Sequence, residues 1–362
     1  MTELPFFQFD HIELGLAEIA SQESPFSLCS GHSLNSAHLQ YKSFKTGTGP
    51  VKNWHLIFHG LSGSHRVEEW WPQLLNYDSS IAERGDAIIC FNSLGSCYGS
   101  TGPASICPES KMQYGLSFPY FDIYDSVKAI YRALQVLGIS SLKSASGGSF
   151  GGMQAIAFGL SFPEFVEFVI SIAGCPVPPL SRSLLGIQRN LALKAVQKEK
   201  HENRECLHFF AAARFIQYGT CIAHEVSQER FPVDLQSDSP MSWERCGGMQ
   251  YQDILDKCTD FSTRFNAFSF IILNSLVETF QLKPVYAFKK PPKVLLIGIE
   301  NDFLTPLSEI VRLAGALESM GFNPKVETIS SIHGHSGWLF EALRFIEKMR
   351  NFVGDRFIHV KL

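Results

Sequence analysis

Gly147-Gly148-Ser149-Phe150-Gly151 is a G-x-S-x-G pentapeptide, and the stretch that contains it, Leu142 to Gln154, decides the fold. A sharp strand-to-helix turn needs such small neighbours, because a β-carbon at Gly147 or Gly151 would crowd the backbone at the bend. The turn holds the serine hydroxyl over the C-terminal edge of a sheet, where a base and a substrate can both reach it. Ser149 is therefore the candidate nucleophile. The run before it, Leu142-Lys143-Ser144-Ala145-Ser146, lacks the β-branched residues expected of a central strand, and on propensity it is the weakest strand of the chain.

Working outward, short β-rich runs alternate with helical ones. Trp54 to Phe58, Ala87 to Phe91, Val166 to Ala173 and Val294 to Ile299 each end in polar or turn residues, as buried parallel strands do. Between them Ile123, Val127, Ile130, Leu134 and Leu137 recur at steps of four and three. Asp122 precedes this run as an N-cap and Gly138 follows it as a C-terminal stop, so an amphipathic helix is predicted. The alternation implies a mostly parallel sheet covered on both faces. From about Pro176 to Pro284 the rhythm breaks: three prolines open the segment, and helix-rich, charged sequence follows without a convincing buried strand. We expect a core of residues 1–175 and 285–362 with a helical lid inserted at 176–284.

A nucleophilic serine needs a base, a carboxylate to orient that base, and donors for the developing oxyanion. Asp302 lies just past the Val294–Ile299 strand, at the edge where open α/β sheets bind ligands. On position alone an ordinary turn or capping aspartate is an equal reading, and Glu300, expected inside the strand end, is the nearby rival. Ile332-His333-Gly334-His335-Ser336-Gly337 offers two histidines in a glycine-rich loop near the C-terminus. For the oxyanion, the strand ending at Phe58 runs into His59-Gly60-Leu61-Ser62-Gly63; the backbone N–H of Leu61 and that of Phe150, next to the nucleophile, are the candidates.

The 362 residues suit a core domain with an insertion. A 45% hydrophobic and 18% charged composition is that of a globular chain, and the 30 phenylalanines point to a large aromatic core. A net charge of −4 gives no electrostatic case for a nucleic-acid partner. No apolar run is long enough for a membrane span, and MTELPFFQFD does not read as a secretory signal. Nine scattered cysteines without C-x-x-C pairs read as reduced thiols of a cytoplasmic protein, and no metal cluster or dinucleotide fingerprint is evident. The final Val360-Lys361-Leu362 is a poor match to a peroxisomal tripeptide.

Several segments together resemble the homoserine O-acetyltransferase family of α/β-hydrolases. His59-Gly60-Leu61-Ser62-Gly63-Ser64-His65 is similar to that family's H-A-L-T-G-x-S-H, and Trp70-Trp71 follows. Asn92-Ser93-Leu94-Gly95 through Gly99-Ser100-Thr101-Gly102-Pro103 resembles its N-x-L-G…G-S-T-G-P, with Phe118-Pro119 and Asp125 in the places of F-P…D. Gly147-Gly148-Ser149-Phe150-Gly151-Gly152-Met153-Gln154 matches G-G-S-x-G-G-M-Q. Arg264-Phe265 resembles R-F-D, Asp302 to Pro306 resembles D-x-L-F-P, and Gly334-His335 resembles G-H-D.

The resemblance implies an α/β-hydrolase fold with Ser149 as nucleophile, Asp302 as orienter and His335 as base. It implies ping-pong transfer from acyl-CoA, acetyl-CoA foremost, used as a co-substrate with no bound cofactor, and a lid that often mediates homodimerisation. The acceptor pocket departs from the pattern. Ser336 stands where the family has an aspartate that contacts homoserine. Arg214 matches the acceptor-binding arginine, but Cys221 replaces the tyrosine seven residues on; Asn266 replaces the aspartate of R-F-D and Phe268 an asparagine. A buried ammonium left without its carboxylate costs roughly 3–5 kcal/mol, so the expected acceptor is an alcohol other than homoserine. An ester hydrolase built on the same residues is the alternative, and a non-catalytic binding module the remote one.

Overall fold

The computed structural model describes residue 9 and residues 11–45, 49–76, 85–197, 264–284 and 288–354. In chain order the described elements are β1 (His11–Ala20), β2 (Phe26–Ser27), β3 (Ser33–Leu34), β4 (Ala37–Lys45), β5 (Trp54–Phe58), α1 (Val67–Trp70), α2 (Pro72–Asn76) and β6 (Ala87–Phe91). There follow α3 (Ile123–Val136), β7 (Leu142–Gly148), α4 (Phe150–Ser161), β8 (Val166–Ile172), α5 (Pro179–Gln197) and α6 (Ala267–Thr279). The chain continues through β9 (Lys293–Glu300), α7 (Leu307–Ser319), β10 (Pro324–Ser330), α8 (Gly337–Phe340) and α9 (Ala342–Val353).

Eight strands form one sheet in the order β1-β4-β6-β5-β7-β8-β9-β10. β1 and β4 are antiparallel, β4 pairs antiparallel with β6, and the rest of the sheet is parallel. Alternate side chains of each central strand face opposite layers, as a two-residue period requires. Leu56, Phe58, Ile89, Phe91 and Leu296 join the layer containing α3, α4 and α6. Ile57, Ile88, Cys90, Leu295 and Ile297 join the opposite layer, with Trp71, Trp338 and the α9 residues Phe345 and Ile346. With both faces covered, β6 is buried along its whole length, which is why it reads as a continuous apolar run rather than an alternating one. Phenylalanine makes up nearly all of the largest fully buried side chains.

The predicted amphipathic helix is α3. Asp122 accepts from the backbone N–H groups of Tyr124 and Asp125, and Asp125 answers by accepting from the Asp122 N–H, a reciprocal cap. Gly138 follows with φ +73°. The weak strand is the central β7, hydrogen-bonded on both sides. Its low propensity is overridden because small residues are what lets the neighbouring helix close in. A methyl group on Gly151 of α4 would lie 2.3 Å from the Phe58 carbonyl oxygen of β5, and one on Gly147 2.6 Å from the same atom. β1 and β4, and the edge strand β10, lack so plain an apolar run and were not among the predicted strands.

At the two ends of the segment expected to form a lid, α5 and α6 pack against one another. Asn274 Nδ2 donates to the Leu185 carbonyl at 2.8 Å, and Arg189 pairs with Glu278 at 2.9 Å. The start of α5 is tied to the loop after β9 by Ser181 Oγ, which donates to the Phe303 carbonyl at 3.1 Å. Residues 198–263, with the acceptor candidates Arg214 and Cys221, lie outside the described residues.

Candidate active site

Ser149 sits between β7 and α4 with φ +57° and ψ −121°. This is a conformation that costs a non-glycine residue on the order of 1–3 kcal/mol. It is held there by its own backbone: the Ser149 N–H donates to the Ile172 carbonyl at 2.8 Å, and its carbonyl accepts from Met153 N at 3.0 Å. The side chain makes no capping bond to the helix, which leaves the hydroxyl to face the loop after β10.

Asp302 follows the end of β9 after one residue, Asn301. The Asp302 Oδ1 accepts from Leu304 N at 2.8 Å and Thr305 N at 2.9 Å, and its Oδ2 faces Thr305 Oγ1 at 2.7 Å. These donors hold the carboxyl group and fix its plane. Glu300, its rival in the sequence, is the exposed last residue of β9. His335 occupies a short 3-10 turn, Gly334–Ser336, entered through Gly334 at φ +54°.

His335 Nδ1 lies 2.7 Å from Asp302 Oδ2, and Nε2 lies 2.7 Å from Ser149 Oγ. A carboxylate can only accept, so Nδ1 carries the hydrogen and Nε2 is the acceptor for the serine hydroxyl. His335 is 1% exposed and Asp302 and Ser149 5% each, which keeps water from competing for these bonds. The arrangement can move a proton from Ser149 to His335 while Asp302 stabilises the resulting imidazolium. Beside it, burial pushes the Cys175 thiol well above its ordinary range, with the Asp302 charge adding to the effect. His333 is turned away: its ring packs on Phe340 at 4.8 Å.

Leu61 is buried in the turn after β5. Phe150 is the first residue of α4, where an N–H has no carbonyl one turn back to bond. Trp338, three residues beyond His335, holds the two sides together. A methyl group on Gly148 would lie 2.4 Å from its Cδ2, and one on Gly60 3.3 Å from its Cζ2. The ring therefore lies flat against the backbone before Ser149 and against the backbone before Leu61. At the rim, Arg264 Nη1 donates to the Tyr98 hydroxyl at 3.1 Å and approaches the Ser62 carbonyl at 3.5 Å.

Of the acceptor candidates, Ser336 follows His335 and is half-buried. Asn266, whose exchange for aspartate stood among the departures from the family pattern, is the N-cap of α6 and accepts from Ser269 N at 3.1 Å. Asparagine and aspartate cap equally well, so the side chain here is engaged at the start of α6 whichever of the two stands there. Sequence reasoning passed over Trp338 and Thr305, which no matching motif letter marks, and the buried histidine of His59-Gly60, whose motif letter carried no physical role. Among the described residues one group, Cys29, Asp122 and Asp125, brings potential metal-ligand atoms close together. Both carboxylates are engaged at the α3 cap, and Asp125 also accepts from Cys29 N. No described helix is long and apolar enough to cross a membrane.

Comparison with known proteins agrees with the motifs. The homoserine O-acetyltransferase of Methanosalsum zhilinae is 29% identical over 339 residues, covering 88% of this chain and 69% of that protein. That of Desulfotalea psychrophila is 29% identical over 378 residues, covering 95% and 96%. Among solved structures, homoserine O-acetyltransferase from Bacillus anthracis superposes with a TM-score of 0.80 at 19% identity over 97% of this chain and 99% of that one. An acetylester hydrolase from Corynebacterium glutamicum gives 0.69 at 19% identity, over 94% and 95%. At such identity these structures speak for the fold alone. The family model for the alpha/beta hydrolase fold matches residues 56–330, from β5 to the end of β10. That span takes in all but the first two residues of the parallel part of the sheet, with the nucleophile turn within it, and the chain belongs to the alpha/beta hydrolase fold family.

Proposed function

We propose that the chain is a serine-nucleophile O-acyltransferase. It takes an acyl group from acyl-CoA, acetyl-CoA foremost, and passes it by a ping-pong route to an alcohol other than homoserine. The observation that carries this reading is the pair of 2.7 Å contacts running from Asp302 through His335 to Ser149. In the first half-reaction His335 Nε2 takes the Ser149 proton as Oγ attacks the thioester carbonyl. The oxyanion is held by the N–H groups of Leu61 and Phe150. The intermediate collapses, the thiolate of CoA leaves with the proton from His335, and an acyl-serine ester remains. In the second half-reaction His335 takes the proton of the acceptor hydroxyl, whose oxygen attacks the ester; collapse returns the proton to Ser149. Asp302 stays ionised throughout and fixes the imidazole tautomer.

Residues 176–284 are read as the lid that shapes the tunnel for the acceptor and as the dimerisation surface. The replacement of a family aspartate by Ser336 favours an acceptor without an ammonium group, because no carboxylate is supplied there to pair with one. The same observation favours a second reading, in which water takes the place of the alcohol and the chain is a carboxylic-ester hydrolase. Mass spectrometry after exposure to acetyl-CoA distinguishes them. One acetyl group is expected on Ser149 and none on a Ser149→Ala variant. Faster release by an alcohol than by buffer selects transfer, and equal release selects hydrolysis. A Ser149→Ala variant with full turnover removes the serine from the mechanism.

A further inference from the structure

His59 is fully buried between the turn after β5 and the loop after β6. Its two ring nitrogens have distinct neighbours. Nε2 lies 3.1 Å from the backbone N of Ser93 and 3.2 Å from the Ser93 hydroxyl. A backbone N–H can only donate, so Nε2 is an acceptor and the ring hydrogen is on Nδ1. Nδ1 lies 2.7 Å from the Gly60 carbonyl oxygen and donates to it. The same oxygen accepts from Gly63 N at 2.9 Å. Burial pushes the His59 pKa down to about 4, so the ring keeps its neutral, Nδ1-protonated form at neutral pH.

The Gly60 carbonyl and the Leu61 N–H belong to one peptide unit. Across a planar trans peptide the carbonyl oxygen and the amide hydrogen point in opposite directions. Two donors that fix the oxygen therefore fix the direction of the Leu61 N–H on the other side of the plane. Gly60 lies against the nucleophile turn, since a methyl group on it would be 4.0 Å from the Gly148 carbonyl. We propose that His59 is a positioning residue of the oxyanion site: its Nδ1–H pins the Gly60 carbonyl and so aims the Leu61 N–H at the carbonyl oxygen of an ester bound to Ser149.

The support behind His59 reaches the second donor. Gln154 of α4 donates its amide hydrogens to Ser93 Oγ at 3.1 Å and to Ser126 Oγ of α3 at 3.0 Å. Ser93 in turn holds the imidazole. One buried chain of polar groups thus connects the Gly60–Leu61 peptide to the helix that begins with Phe150. Small changes at either end are resisted by the same network, which keeps the two N–H groups in a fixed relation before a substrate arrives.

This inference rests on the serine-nucleophile reading above, and its test separates the two. Acylation of Ser149 is followed by p-nitrophenolate release from p-nitrophenyl acetate and from its thiono analogue, whose sulfur is a weak hydrogen-bond acceptor. His59→Ala is expected to slow acylation by the oxygen ester about 100-fold, the scale of losing one oxyanion donor, and to lower the oxygen-to-sulfur rate ratio. His59→Asn places an amide N–H at the Nδ1 position and is expected to restore the ratio. His59→Gln places it at the Nε2 position and is expected not to. The Asn and Gln pair, which keep most of the side-chain volume, carry the decision if the alanine variant does not fold. Unchanged acylation, or an equal loss for both esters in the Asn and Gln variants, overturns the positioning role. Failure of the unsubstituted chain to be acylated at Ser149 by either ester overturns the earlier reading instead.

Discussion

Replacing Trp338 by alanine perturbs the site without touching a reacting atom. The side chain is 3% exposed and meets Trp71 edge-on at 5.7 Å and Trp70 at 6.1 Å. Its backbone carbonyl accepts from Trp71 Nε1 at 3.1 Å. Truncating a buried tryptophan costs about 3–5 kcal/mol out of a total stability of roughly 5–15 kcal/mol. In a chain of this length that lowers the unfolding midpoint by about 4–7 °C. The catalytic cost is separate. The ring bears on Gly148 and Gly60, and it sits three residues past His335, so its loss frees all three loops at once. A displacement of roughly 1 Å at His335 costs on the order of 100-fold in rate. Trp338→Phe discriminates further. A single ring can cover Gly148, but it lacks the outer atoms Cζ2 and Cη2 that reach Gly60. It should keep more of the stability than of the activity. Urea unfolding paired with single-turnover acylation by p-nitrophenyl acetate measures both. A Trp338→Ala protein that loses stability yet acylates at the original rate refutes the positioning argument, and one unchanged in both refutes the packing argument.

Two glycines of opposite character test the local packing: Gly151→Ala drives a methyl into backbone atoms of Phe58 and His59 that cannot swing aside, and should unfold the chain or cut soluble yield sharply. Gly315→Ala, in the interior of α7 with nothing within 4 Å of the new methyl, should raise stability by about 1 kcal/mol, read from the urea midpoint. Acidification should reveal His59. An unfolded histidine titrates near pH 6.5, while burial holds the folded one at about 4. Between those values the unfolded state binds more protons, so stability is retained above pH ~6.5 and falls as pH drops towards 4, by about 3 kcal/mol in all. Urea midpoints of the unsubstituted protein and His59→Asn at pH 7 and pH 4.5 should converge at the lower pH. Parallel curves would place the proton elsewhere.

What the sequence disclosed and what it hid follow from where the physics is local. Asp122 and Gly138 bounded α3 because a helix end is settled by its own few residues. β6 and β9 were legible because strands buried on both faces are uniformly apolar. β1 escaped because its first half is exposed, with Ile12, Leu14 and Leu16 on one face of an edge strand. β7 ran against propensity for a nonlocal reason: the room it must leave for α4 and Trp338 is a property of the assembled layers. Ser149, Asp302 and His335 could be proposed from the order of strands and loops, yet Ser149 and His335 stand 186 residues apart in the chain. Only the fold brings their atoms to 2.7 Å. Thr305, whose hydroxyl meets Asp302 Oδ2, had no local signature beyond a polar residue before a proline.

The departures from the family pattern also change weight once side chains have places. Asn266 and Ser336 each stand where the resemblance has a carboxylate, and in the sequence they count alike. In the fold they do not: Asn266 ends its reach at Ser269 N, a bond an aspartate would make as well. Ser336 adjoins the base itself, so its exchange alters the charge felt by whatever hydroxyl approaches His335. Among the described residues, the lost carboxylate that bears on homoserine is then the one at position 336, beside the change to Phe268. The case against homoserine also sharpens, because a hydroxyl at position 336 can donate to or accept from a neutral acceptor but cannot neutralise an ammonium, and desolvating an ammonium without a counter-charge is the larger cost. Under the proposed acyl transfer, selectivity for an uncharged alcohol over an amino alcohol is expected from the lack of a carboxylate at position 336, while the proton transfer at Ser149 is left as it was.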